Sequence, residues 1–112
     1  MKQSLGVFER ITILNLLPGE GRLYDMKVLD ALNKDLGFSD DELKALKFRE
    51  EGPRMFWEKE ADKPKEVEFG FRVTEIIRRK LNQLQNEEKL TRAHIGICEM
   101  FGIEDSGPAE KE

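Results

Sequence analysis

Val7–Leu17, VFERITILNLL, is the stretch whose reading decides the fold. At about 100° per residue, Val7, Ile11 and Leu14 form one apolar stripe with Phe8 beside it. Leu5 and Leu16 point to a second side, and Ile13 and Leu17 to a third. Only Glu9, Arg10, Thr12 and Asn15 interrupt this pattern. A helix apolar on several sides must be central to a core or shared with a second chain. A strand is the rival reading, because Ile11, Thr12 and Ile13 are β-branched. The length of the run favours helix. Pro18-Gly19 ends it either way, since the residue before proline avoids the α region.

Working outward, the segment Leu23–Leu36 reads as an amphipathic helix with Val28, Leu29, Leu32 and Leu36 on one face. Gly37 stands where a left-handed C-cap is expected. Ser39-Asp40-Asp41-Glu42 is a capping-box pattern. It should open a short helix to about Lys47, with Leu43 and Leu46 inward. Gly52-Pro53 signals a turn, and Met55-Phe56-Trp57 suits a strand. Lys65–Phe71, KEVEFGF, alternates, with Val67, Phe69 and Phe71 on one face. The two strands, joined by the charged loop Glu60–Pro64, predict a hairpin, and Ala45–Glu50 offers a third strand. A long helix over Arg72–Glu88 carries Val73, Ile76, Ile77, Leu81 and Leu84 on its stripe. Thr91 caps a last helix, Arg92–Phe101. The tail Glu104–Glu112, EDSGPAEKE, has no apolar content beyond one alanine and is expected to be disordered.

These elements predict one α+β domain over residues 1–103. Its helical core holds four to five helices, with a small antiparallel β-hairpin or three-stranded sheet. A chain of 112 residues has room for one modest core. Charged residues make up 38% and the net charge is −4, so general attraction to nucleic acid or anionic lipid is disfavoured. The lone cysteine, Cys98, excludes an intrachain disulfide and suits a reducing compartment. No apolar run approaches the roughly 20 residues of a membrane span, and Glu9 and Arg10 interrupt any secretory apolar region. A cytoplasmic protein without membrane association is expected.

Three sets of residues invite a nucleic-acid, electrostatic or catalytic reading, and a fourth an apolar one. The order of elements resembles a winged helix-turn-helix: Val28–Leu36, the turn Gly37-Phe38, a recognition helix Asp40–Lys47 and a wing Phe56–Phe69. That resemblance implies a nucleic-acid-binding regulator. However, Asp40, Asp41 and Glu42 would press three carboxylates on a duplex, where a recognition helix needs neutral or basic groups. Next, Arg72 and Arg79 share one side of their helix and could grip an acidic or phosphate-bearing partner. The ordinary alternative is a solvated face, with Glu75 pairing Arg79 and Lys80 snorkelling from the apolar arc. Last, His94 and Cys98 lie one turn apart. A zinc site wants three or four ligands, and a nucleophile needs an activating pocket. Neither is visible, so packing is the better account. No phosphate loop, nucleophile elbow or metal-protease motif is present, and no cofactor, metal or catalytic residue is assigned.

Met55, Phe56 and Trp57 complete the candidates. Neighbours on a strand point to opposite faces, so one large apolar side chain is left over for a partner. The stretches ERITILNLLPGEG (9–21), WEKEADKPKEVEFG (57–70) and EEKLT (87–91) resemble small uncharacterised proteins encoded by phages and prophages. The resemblance implies an accessory role and supplies no catalytic residues. The sequence therefore predicts a non-enzymatic protein-binding module that could self-associate. Met55, Phe56, Trp57, Arg72 and Arg79 are its candidate contacts.

Overall fold

A computed structural model of the chain describes residues 1–105 and 107. Among these residues, four short strands and five α-helices run β1 (Lys2–Leu5), α1 (Val7–Leu16), α2 (Leu23–Leu36), α3 (Asp40–Leu46), β2 (Arg49–Glu51), β3 (Arg54–Phe56), β4 (Lys65–Glu68), α4 (Phe71–Asn86) and α5 (Ile95–Met100). Single 3-10 turns at Lys59–Ala61 and Arg92–His94 precede β4 and α5. The fold is α+β. No helix among the described residues is long and apolar enough to cross a membrane. Most of the expected disordered tail, 104–112, lies outside the described residues; its first residue is engaged, with Gln85 Nε2 donating to the Glu104 carbonyl at 3.2 Å.

The opening helix is central, packing against β1, α2, α4 and α5. Val7, Ile13 and Leu16 are buried with Leu32 and Leu36 of α2, Val73, Ile77 and Leu81 of α4, and Ile97 of α5. Phe69 and Phe101 meet edge to face at 5.3 Å across the same core. Ile11, Leu14 and Leu17, all on the apolar sides read from the sequence, are only half-buried. The buried arc is rotated toward a residue that the sequence pattern treats as an interruption: Arg10 is 1% exposed.

Arg10 can be buried because every nitrogen of its guanidinium has an acceptor. Nε donates to the Leu36 carbonyl at 3.0 Å, Nη1 to Glu42 Oε2 at 2.7 Å, and Nη2 to the Gly37 carbonyl and to Glu42 Oε1. The group lies 4.0 Å from the Phe38 ring centroid, within cation–π range. Arg10 thus bonds the C-terminal carbonyls of α2 and the capping residue of α3 in one fork. This also explains the end of α2. Gly37 is extended (φ −67°, ψ 170°), not left-handed as expected, because its carbonyl turns to Arg10. A left-handed residue follows α3 instead, at Lys47 (φ 51°).

The capping box of α3 forms as expected: Glu42 N donates to Ser39 Oγ at 3.1 Å and Ser39 N to Glu42 Oε1 at 2.9 Å. Leu46 is buried, but Leu43 is 44% exposed. Arg10, and secondarily the Ser39 amide, hold the Glu42 carboxyl at a pKa of about 2, against an ordinary 4.5. A carboxyl whose folded pKa lies below its unfolded one stabilises the fold above the unfolded value and loses that contribution as pH falls. The stability gap between wild type and Glu42→Gln, measured by urea unfolding, should be constant above pH 5 and close as pH drops from 4.5 toward 2. A gap independent of pH would contradict this ion pair.

The sheet topology departs from the expected hairpin. β4 pairs antiparallel not with the Met55–Trp57 segment but with β1, in the register Lys2↔Glu68 to Leu5↔Lys65. β3 pairs with β2 across the Gly52-Pro53 turn, with Glu50 opposite Met55. The third strand foreseen at Ala45–Glu50 is therefore the hairpin partner, placed at 49–51. The alternation of KEVEFGF holds for Val67 and Phe69, both buried, and fails at Phe71, which opens α4 and is 83% exposed. The segment Phe56–Phe69, assigned to a wing, forms no hairpin of its own.

Candidate functional site

The five sequence candidates fall into two separate places. Met55 and Phe56 lie on β3, 42% and 36% exposed. Trp57, just past the strand, is committed within the molecule. Its Nε1 donates to Asp62 Oδ2 at 3.1 Å, and its ring meets Phe48 edge-on at 6.0 Å. Asp62 Oδ1 in turn accepts from Val7 N at 2.9 Å, an N-terminal cap of α1 supplied from a distant loop. Trp57 thus helps to fix the start of the central helix.

Arg72 and Arg79 lie on α4, facing the start of α2. Arg72 grips Asp25 as a two-pronged fork, Nε to Oδ1 at 2.7 Å and Nη2 to Oδ2 at 2.8 Å. This hydrogen bonding is the main reason that the Asp25 carboxyl is held below its usual pKa, and the charges of Arg22 and Arg79 act in the same direction. Glu75 pairs with Arg72 at 3.4 Å, not with Arg79 as the i,i+4 spacing suggests. Arg79 has no ion pair among the described residues.

The ion pair holds the beginnings of two long helices together. Leu23 and Tyr24 immediately precede Asp25, and Phe71 immediately precedes Arg72. Their side chains are exposed by 72%, 65% and 83%, the three highest values among the large apolar residues. All three lie within two residues of the Asp25–Arg72 fork, which joins the beginnings of α2 and α4.

A groove of about 620 Å³ runs alongside, between the α1–α2 connection and α4. Met26, Leu29 and Ile76 give it an apolar lining, and Arg22, Arg79 and Lys80 bring cations to it. Lys80 is half-buried, the geometry expected of a lysine on the apolar arc of its helix. Like Arg79, neither Arg22 nor Lys80 has an ion pair among the described residues. Arg22 belongs to this groove but not to the sequence candidates. Fifty residues separate it from Arg72, and nothing local in the sequence links the two. Lys80 inside an apolar arc was the one available signal.

His94 and Cys98 share a smaller pocket of about 240 Å³ near the start of α5. His94 Nδ1 accepts from the Thr91 amide at 3.0 Å, which caps the start of the 3-10 turn. Burial pushes the Cys98 thiol above its ordinary pKa, the reverse of what a nucleophile needs. Alkylation of Cys98 at neutral pH should be slow, and should accelerate on unfolding in urea. Rapid reaction of the folded protein would restore the catalytic reading. No group of three or more His, Cys, Asp or Glu side chains among the described residues could hold a metal ion.

Comparison of the chain with family models, with curated proteins and with solved structures finds no match. The functional reading therefore rests on the molecule's own surfaces.

Proposed function

We propose that the protein is a non-enzymatic protein-binding module. Its contact surface is the end where α2 and α4 begin. The observation that carries this reading is the exposure of Leu23, Tyr24 and Phe71 around the Asp25–Arg72 fork. Isolated exposed apolar residues need no explanation, whereas several large ones on a rigid base are a feature of interaction sites. Tyrosine and phenylalanine also supply much contact area for little conformational entropy. The helices themselves are anchored in the core through Leu29, Ile76 and Ile77, so the surface is presented ready-made.

The nucleic-acid alternative is weaker on this geometry. The segment assigned to a wing does not form one, and α3 opens with Asp40, Asp41 and Glu42. The test compares baits in an extract of the native host. Tyr24→Ser with Phe71→Ser should lose the captured partner, while Met55→Ser with Phe56→Ser on the β2–β3 hairpin should keep it. The opposite pattern would move the site to the hairpin. Light scattering on the wild type identifies the case in which the partner is a second copy.

A further inference from the structure

Resting on that reading, we infer that the groove between the α1–α2 connection and α4 takes an acidic peptide segment of the partner, with carboxylates on Arg22, Arg79 and Lys80 and an apolar side chain against Met26, Leu29 and Ile76. Charge complementarity supports this occupant. Four cationic side chains line the groove against two carboxylates, in a chain whose net charge is −4. Arg72 and Asp25 satisfy each other, so the cations left for a ligand are Arg22, Arg79 and Lys80. A local positive surface on an acidic protein attracts an anion while the rest of the molecule repels it.

The layout of the charges selects a peptide over a compact phosphate ligand. Arg22 comes from the loop before α2, and Arg79 and Lys80 from successive positions of α4. Such positions match carboxylates spaced along a chain. Glu20, in the same groove, would repel the dense charge of a polyphosphate. The apolar lining beside the cations suits a segment in which acidic and apolar residues alternate. The groove volume, about 620 Å³, is within the roughly 300–1,000 Å³ of ordinary ligand pockets, enough for a few side chains.

The probe is a fluorescein-labelled peptide of glutamate and leucine, two to one, followed by fluorescence anisotropy on the full chain at low salt. Saturable binding is expected, falling as salt rises. Arg22→Glu, and Arg79→Glu with Lys80→Glu, should each weaken it by at least about tenfold, whereas Arg79→Lys should retain it. Arg22 and Arg79 are exposed, and an acidic residue at the start of α2 suits the helix dipole, so unchanged urea midpoints are expected for Arg22→Glu and for Arg79→Glu alone, which is the folded control for the double variant at half-buried Lys80. The inference is overturned if the peptide does not saturate, if the charge-reversed variants bind it equally, or if a lysine-for-glutamate peptide or an oligothymidylate binds more tightly. Capture of a host protein that depends on Tyr24 and Phe71 but not on these cations would overturn the groove inference alone. Peptide binding in the groove with capture indifferent to Tyr24 and Phe71 would overturn the apolar surface instead.

Discussion

Arg10→Ala should destabilise the fold by about 3 kcal/mol or more, a large share of the roughly 5–15 kcal/mol that a domain commands. The side chain is 1% exposed, and its removal strips the Leu36 and Gly37 carbonyls of their donor in a closed site. It also takes the counter-charge from Glu42 and the cation from the face of Phe38. The Glu42 side chain is 36% exposed, so water rehydrates it and the ion pair is the smaller part of the loss. The buried Leu36 carbonyl, the part-buried Gly37 carbonyl and the vacated volume are the larger part. Arg10→Met separates these effects, because it keeps most of the packing and none of the hydrogen bonds; it should recover only part of the loss. Arg10→Lys should rescue little, since one ammonium cannot reach acceptors arranged for a planar fork. Urea unfolding with an unchanged slope is the measurement. A loss below about 1 kcal/mol would be an ordinary surface value and would contradict the role of Arg10 as the clasp of α1, α2 and α3.

Tyr24→Ser with Phe71→Ser should have the opposite profile: stability within about 0.5 kcal/mol of wild type, and partner affinity severely reduced. Both side chains are exposed in the free protein, by 65% and 83%, so neither contributes much to folding. Once desolvated in an interface, each aromatic anchor typically contributes about 2 kcal/mol or more, or about thirtyfold in Kd for each. Arg72→Ala belongs beside this pair as an indirect variant. It breaks the fork to Asp25 and frees the two helix starts without touching the apolar side chains. It should weaken the same interaction less than the double substitution, through loss of preorganisation. Equal affinity for wild type and double variant would remove the surface from consideration.

The helices were legible because their signals are local. The apolar period of Leu23–Leu36 gives the observed bounds of α2, and the Ser39–Glu42 capping box marks the start of α3. Strand pairing was not legible. β1 and β4 lie some sixty residues apart and meet through backbone bonds, while KQSL carries one apolar side chain to announce itself. With β4 taken by β1, the Met55 segment had only its close neighbour at 49–51 to pair with. Phe71 misled through composition, since β4 ends at Glu68 and, after Gly70 as N-cap, Phe71 begins a helix with its side chain exposed. Arg10 was opaque because a charged residue in an apolar helix reads as solvent-facing. Its burial depends on acceptors from α2 and α3, which no window around residue 10 contains. The site shares that obstacle. Arg72 and Arg79 were visible as a pair on one helix face, but their companions Arg22, Leu23 and Tyr24 come from another element. The fork that joins the two becomes visible only when α2 is laid against α4.

The central claim, that contacts are made where α2 and α4 begin, is tested most directly by mapping amide chemical shifts of the labelled protein as the captured partner is added. The account predicts perturbations concentrated at residues 20–29 and 70–83, with the β2–β3 hairpin at 49–56 unchanged. Perturbations confined to the hairpin, or to the pocket around His94 and Cys98, would contradict it.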